Sequence, residues 1–379
     1  MANNLAAVTP RLLAQGLNAL REVAIMPQLV NRAYETQAGQ KGTTIDVPIP
    51  SAIAAQDVVP APTPPTDADI GPTSVPIPLD KWKEAPFYLT DNDVLQIMDG
   101  VIPMQASEAI KSLANLVNQD ILALYKKFYG FAGTAGTTPF GDGTTSSATA
   151  IRKVLNKNLA PLDDRHVVLD PDAEANALNV RAFQDASWSN SPAAIVDANL
   201  NRKIGFQWWM HQLAPTHIPG TATGITTAVL NASGATTVTL KVASGTGTLV
   251  EGDLLTFAGM SQQYVVTAGV TLTTGGVATS IQPALTAAVD GSGTPVAVTR
   301  QAQHVANLAF HRDAIAFATR PFMPVEPGLG AIVRSAVDPL SGLTLRLEVT
   351  REYKRTRYSY DILYGTGVVR RALGARLLG

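Results

Sequence analysis

Apolar residues recur at three- and four-residue steps over two long stretches in the first third of the chain. Leu12, Leu13, Leu17 and Leu20 place a helix within residues 5–36, interrupted around Pro10 and Pro27. Ala106, Ile110, Leu113, Val117, Ile121, Leu124 and Phe128 predict a helix over residues 103–129. At 1.5 Å per residue it would span about 40 Å. Thr90-Asp91-Asn92-Asp93 supplies capping side chains for a shorter helix that ends near Gly100.

Between the two helices the period falls to two. Residues 41–50 alternate through Ile45, Val47 and Ile49, and residues 74–79 mirror them through Val75, Ile77 and Leu79. The stretch between holds Pro60, Pro62, Pro64, Pro65 and Pro72. Proline cannot donate to a sheet ladder, so the pattern predicts two arms of a long hairpin with an irregular tip. An irregular connection of roughly 25 residues is uncommon in a compact domain unless it has a function.

Residues 130–145 read as a Gly/Thr-rich loop, 146–159 as a capped helix, 165–170 as a buried strand, 172–180 as a helix and 203–210 as an aromatic strand. At Gly220 the composition shifts to Thr, Val, Ala, Gly and Leu, and it stays so to about Thr299. Six β-like runs recur there, at 225–230, 236–242, 253–257, 263–266, 277–281 and 296–299. Short strands at regular spacing predict a small all-β barrel or sandwich inserted into a mixed α/β host. Beyond it, residues 308–310, 314–318, 343–349 and 358–365 read as strands, and 367–378 closes the chain with apolar residues.

The 379 residues suffice for two or three packed units. Charged residues are only 16 %, against roughly 25 % in typical soluble proteins, so much surface is expected to be covered by partners. The formal net charge of −1 lacks the basic excess that gripping phosphates requires. There is no cysteine, which excludes disulfides, thiolate metal sites and cysteine nucleophiles. Residues 1–15 lack the pattern of a signal peptide, and no apolar run reaches 18 residues. Synthesis in a cytoplasm and no membrane partner are expected.

Candidate chemistry is sparse. His166, His211, His217, His304 and His311 show no metal-ligand spacing. Asp163-Asp164 and Asp170-Pro171-Asp172 sit where helix starts favour acids. Gly133 to Gly143 is not followed by a phosphate-loop Lys, and there is no nucleophile elbow. Trp208-Trp209 could stack a base or sugar, but in an apolar strand it reads as packing. No catalytic, cofactor or metal residue is assigned, and the chain is expected not to be an enzyme.

The order of elements resembles the tailed-bacteriophage major capsid fold of the Hong Kong 97 type. Several strings look like its short-tailed Salmonella-type coat-protein family. They are Lys41-Gly42-Thr43-Thr44-Ile45-Asp46-Val47-Pro48, Arg165-His166-Val167-Val168-Leu169-Asp170-Pro171-Asp172-Ala173-Glu174-Ala175 and Lys203-Ile204-Gly205-Phe206 with Pro215-Thr216-His217. Leu308-Ala309-Phe310-His311-Arg312-Asp313-Ala314 and Tyr360-Asp361-Ile362-Leu363-Tyr364-Gly365 follow. Gly252-Asp253-Leu254-Leu255-Thr256-Phe257-Ala258-Gly259 is similar to the extra β-barrel of those coat proteins. The resemblance implies an α+β fold in six parts. These are an N-terminal arm (1–38), an extended hairpin loop (39–82), a peripheral domain with a spine helix (83–145), an axial domain (146–220), an inserted barrel (221–300) and a completing segment (301–379).

It also implies a subunit that self-assembles through pentamers and hexamers into an icosahedral shell in the host cytoplasm, enclosing packaged DNA by confinement. The expected partners are further copies, a separate scaffolding protein, a portal protein and, as a further candidate, a decoration protein. Some members cross-link through a loop Lys, and residues 42–80 contain none. The rival readings are a β-rich phage tail or adhesin protein, which would lack the long amphipathic helix, and an enzyme with an inserted binding domain.

Charge is unevenly placed. Between Gly42 and Asp80 the charged residues are Asp46, Asp57, Asp67, Asp69 and Asp80, with no Lys or Arg. From Arg346 onward come Arg346, Arg351, Lys354, Arg355, Arg357, Arg370, Arg371 and Arg376, opposed by Glu348, Glu352 and Asp361. In the capsid fold the extended loop lies over a neighbour's peripheral domain. Either both sets are solvated faces, or, as the resemblance implies, Asp57, Asp67 and Asp69 of one copy contact Arg355 and Arg357 of the next.

Overall fold

A computed structural model of the chain describes residues 24–33, 44–49, 55, 71, 73–91, 101–185, 197–291, 293–320, 331–338 and 342–379. The loop aspartates Asp57, Asp67 and Asp69, the short helix expected before Gly100 and most of the N-terminal helix lie outside these residues. The chain divides into two compact units, residues 1–114 with 315–369, and residues 115–314 with 370–379. The cuts at 114/115, 314/315 and 369/370 fall inside the segments expected at 83–145 and 301–379.

In the first unit the two hairpin arms pair antiparallel, Thr44–Ile49 with Thr73–Pro78, in the register Ile45 to Ile77 and Val47 to Val75. Alternation puts Ile45, Val47 and Ile77 on the buried side. They pack on Ala316, Ala318 and Val369, with Leu79 beside Ile45. The main sheet runs Ile315–Thr319, Arg355–Val368, Thr344–Glu352, Ala331–Val337, with Lys81–Thr90 also paired to the long strand Arg355–Val368.

The strand Lys81–Thr90 is not foreseen by periodicity. It is an edge strand with one neighbour, and Pro86 sits within it, where an edge tolerates proline. The helix expected to run on to residue 36 stops after one turn, Met26–Leu29. There the backbone of Asn31 leaves the helix and pairs with the edge of Ile315–Thr319, its N–H donating to Ile315 O at 3.0 Å.

The long helix is Val101–Leu122, 22 residues or about 33 Å. Its apolar stripe is buried at Ala106, Ile110, Leu113, Val117 and Ile121. It tightens to a 3-10 turn at Ala123–Lys127 and ends with Phe128 extended, shorter than the expected 103–129. The cause is packing: Phe128 is fully buried, and a Cβ on Gly374 would meet its ring at 2.3 Å.

The second unit holds a mixed sheet in the order Gly130–Ala132, Gly374–Leu378, His304–His311, Arg165–Leu169, Phe206–Met210, Arg202–Lys203. Thr216–His217 adds to His304–His311. The start of the expected 130–145 loop is thus a strand, parallel to the last strand of the chain. The single strand expected at 203–210 is a tight hairpin, turning at Ile204 and Gly205, both with positive φ. Ser146–Lys157 is the expected helix, burying Ala148, Ile151 and Leu155.

The six β-like runs each overlap one strand of a closed barrel: Ile225–Thr227, Thr237–Val242, Leu254–Phe257, Gln263–Val266, Val277–Gln282 and Ala297–Arg300. Closure leaves no free edge. Alternation along Thr237–Val242 sends Val238, Leu240 and Val242 inward to meet Leu255, Phe257, Tyr264, Val266 and Ile281. A ribbon absent from the sequence reading, Thr246–Leu249 with Val270–Thr273, adds Leu249 and Leu272 to that core.

Candidate functional site

The antiparallel register of the first unit's sheet decides which side chains share a face. Tyr88 stands opposite Arg357, Pro86 opposite Ser359 and Glu84 opposite Asp361. On the other side of the long strand, Glu352 faces Arg355, Thr350 faces Arg357, Glu348 faces Ser359 and Arg346 faces Asp361. Because side chains alternate, one face is polar and charged. The opposite face carries Phe87, Tyr358, Tyr360 and Tyr364, with Phe87 stacked on Tyr358 at 5.1 Å.

The charged face is a ladder of ion pairs. Arg346 donates from Nε to Asp361 Oδ2 at 3.1 Å, and its Nη2 lies 3.1 Å from Glu348. The Ser359 hydroxyl lies 2.8 Å from Asp361 Oδ1 and 3.1 Å from Glu84 Oε2. Arg357 donates to Glu84 Oε1 at 2.9 Å, and Arg355 pairs with Glu352. Arg355 also covers the exposed ring of Tyr88, 4.8 Å from its centroid. Outside this ladder, Arg351 pairs with Asp91, and that hydrogen bond holds the Asp91 carboxyl below its usual range. At the tip of the hairpin Glu352–Arg355, the Tyr353 ring is 85 % exposed, with the Lys354 ammonium 5.1 Å from its centroid.

Arg355 and Arg357, singled out from the sequence, therefore stand together on one exposed face, two residues apart. Their intended partners Asp57, Asp67 and Asp69 lie outside the described residues. Glu84, absent from the sequence reading, and Asp91, read there as a helix-capping residue, oppose the C-terminal arginines from within the same chain. The signal was weak: Ala85, Phe87 and Leu89 alternate as a buried face would, but Trp82, Pro86 and Tyr88 put apolar residues on the other face as well.

At Trp208 the chemistry is that of packing. Trp208 is buried, in edge contacts with Phe140 at 5.7 Å and Phe206 at 5.8 Å, and its indole N–H donates to Lys203 O. Among the described residues no group of three or more His, Asp or Glu is arranged to hold a metal ion. No helix among them is long and apolar enough to cross a membrane.

No protein-family model matches the sequence, and no curated protein matches it. Among solved structures, the capsid of cyanophage P-SCSP1u aligns at 12 % identity with a TM-score of 0.49, covering 94 % of this chain and 88 % of that chain. The mature capsid of bacteriophage PhiM1 aligns at 10 % identity with a TM-score of 0.46, covering 89 % and 82 %. A structure from Mycobacterium phage Che8 aligns at 14 % identity with a TM-score of 0.51, covering 92 % of this chain and 89 % of that chain. The chain shares its α+β fold with that phage structure.

Proposed function

We propose that the chain is the major capsid protein of a tailed bacteriophage, the subunit of an icosahedral shell that encloses the genome. The observation that carries this reading is the fold shared with the structure from Mycobacterium phage Che8 over 92 % of the chain. Elements in the order of a Hong Kong 97-type subunit support it: a paired extended hairpin, a long helix and two separate sheets. The closed barrel within residues 221–300 is the inserted domain of the Salmonella-type coat proteins in this reading. The long amphipathic helix weighs against a tail or adhesin protein.

The work of such a subunit is assembly, not catalysis. Copies bury modest contacts as pentamers and hexamers, and repetition makes the shell stable. A separate scaffolding protein guides assembly in the host cytoplasm, and a portal protein and, as a further candidate, a decoration protein are its other partners. The near-neutral chain confines DNA without gripping its phosphates. The loop residues Asp57, Asp67 and Asp69 reach the face that carries Arg355 and Arg357 on a neighbour, in competition with Glu352 and Glu84.

The test is expression of the full chain with and without a co-expressed scaffold, followed by size-exclusion chromatography and negative-stain microscopy. Closed shells or capsomer rings support the reading. A stable monomer under both conditions overturns it.

A further inference from the structure

In the second unit, the barrel meets the seven-stranded sheet across a seam whose centre is polar. Arg376, on the last strand, is fully buried. It donates from Nε to Tyr125 O at 2.9 Å, in the 3-10 turn after the long helix. It donates from Nη1 to Gly252 O at 2.8 Å, at the turn into the barrel strand Leu254–Phe257. Its guanidinium lies 4.9 Å from the Tyr125 ring centroid. One cation therefore holds the helix end, the C-terminal strand and the barrel turn together.

The neighbouring groups extend the contact. Asp253 Oδ1 lies 2.9 Å from His217 Nε2, and its Oδ2 accepts from the backbone N–H groups of Val250 at 2.9 Å and Gly220 at 3.3 Å. His217 Nδ1 faces the Tyr125 hydroxyl at 3.1 Å. The ring of His304, where the chain leaves the barrel for the sheet, lies 5.2 Å from that of His217. His304 Nδ1 is 2.8 Å from Ala302 O, so it carries the ring proton, and Nε2 is buried without a partner. Arg376 Nη2 is likewise buried without a partner. The apolar part of the seam is small: Tyr129, Phe131, Leu254, Val265 and Leu378. Gln263 adds a two-way amide contact with the backbone of Phe131, both bonds at 2.8 Å.

We propose that Arg376, Tyr125, His217, Asp253 and His304 form a latch that fixes the pose of the barrel on the sheet, and that acid opens it. The inference rests on this unit's geometry and does not require the shell reading. The charged and titratable groups facing His304 are Arg376 on the last strand, His217 on the incoming linker and Asp253 on the barrel. The sole carboxylate among them is already engaged three times. A proton taken up from solvent at His304 Nε2 places a second cation beside Arg376, with an N–H that has no acceptor. Opening the seam hydrates both cations. The barrel core stays closed, because none of these groups belongs to it. Burial pushes the His304 pKa down to about 4, with Ala302 O opposing the shift and Arg376 adding to it. A histidine whose folded pKa is depressed favours the closed state fully above its unfolded pKa of about 6.5. That preference is lost as pH falls toward about 4.

The test is hydrogen exchange of the full chain at pH 7, 5.5 and 4, corrected for intrinsic rates. It reads the seam segments 212–222, 250–254 and 301–306 against the barrel-core strands Thr237–Val242 and Val277–Gln282. One-proton linkage raises the opening constant by up to about tenfold per pH unit between about 6.5 and 4. The expected result is loss of seam protection over that range with the barrel core unchanged. His304→Gln should abolish the pH step, and Arg376→Met should expose the seam already at pH 7. Should Arg376→Met not fold, the pH series on the wild type and His304→Gln decides alone. A seam protected down to pH 4, a barrel core that opens together with the seam, or an unaltered step in His304→Gln overturns the proposal.

Discussion

The carbonyl oxygen of Pro78 occupies the space where a side chain on residue 365 would begin: a Cβ on Gly365 would stand 2.3 Å from it. Two residues on, a Cβ at Gly367 would lie 3.1 Å from Ile77 Cγ1. These glycines form the track on which the second hairpin arm rests. Gly365→Ala is expected to lift that arm, uncovering Ile77 and Val47, at an overpacking cost of about 1–3 kcal/mol. Hydrogen exchange should show lost protection at residues 44–49 and 73–78 with the strand Arg355–Val368 intact, and shell yield should fall. Unchanged protection in the arms would count against the track.

The subunit contact proposed for the loop predicts a charge-swap pattern. Asp67→Lys with Asp69→Lys should impair assembly, and Arg355→Glu with Arg357→Glu should partly restore it. Since Glu84 and Glu352 already hold these arginines, Glu84→Gln and Glu352→Gln should free them and strengthen assembly. Each exposed pair contributes only about 0.2–1 kcal/mol, so the effects should be largest at low salt. Light scattering of assembly at two salt concentrations reads all three. Normal assembly of the loop variant at low salt would mean that apolar and backbone contacts hold the loop.

A second histidine makes the sheet of the second unit acid-sensitive. His166 lies buried beside Phe310, its Nδ1 has no partner, and burial lowers its pKa to about 4. The depressed pKa means that stability is full above about pH 6.5 and declines as pH falls to about 4, by roughly 3 kcal/mol in total. Thermal melts between pH 7 and 4 should show the decline, and His166→Leu should reduce its slope, leaving the part due to His304. An equal acid slope in the variant would remove His166 as its source.

Leu159 ends the helix Ser146–Lys157 in the left-handed region, φ 57°, with its side chain 88 % exposed. The N–H of Ala160 bonds Leu155 O at 3.0 Å and that of Leu159 bonds Asn156 O at 3.1 Å, a Schellman closure that normally takes glycine. Buried Arg165 clamps the following turn through Ala160 O at 2.7 Å and Asn156 Oδ1 at 2.8 Å. Leu159→Gly should therefore raise stability, by up to about 1 kcal/mol after the entropy cost of glycine. Chemical denaturation measures it, and a loss of stability would show that the leucine side chain contributes contacts.

The barrel core closes on itself, with Val238, Leu240, Leu255, Phe257, Tyr264 and Ile281 facing inward. Residues 221–300 expressed alone are expected to fold. Dispersed β-type amide shifts would support this, and a random-coil spectrum would show that the seam with the sheet is needed for folding.

Periodicity was sufficient wherever burial alternates within a single segment. The arms 44–49 and 73–78, the stripe from Ala106 to Ile121 and the six barrel strands are all legible because each residue's side of the element follows from its neighbours in sequence. What pairs with what is a different kind of fact. Lys81–Thr90 has one neighbour and one solvated face, so its pattern is weak, and its partner lies about 270 residues away. The C-terminal arginine excess is visible in the sequence, but its neutralisation by Glu84 and Asp91 follows from strand register, which only the folded sheet sets. Arg376 reads as one base among eight. Its burial was decided by tertiary structure, because an arginine can leave water only where distant segments, here those of Tyr125 and Gly252, bring acceptors to it.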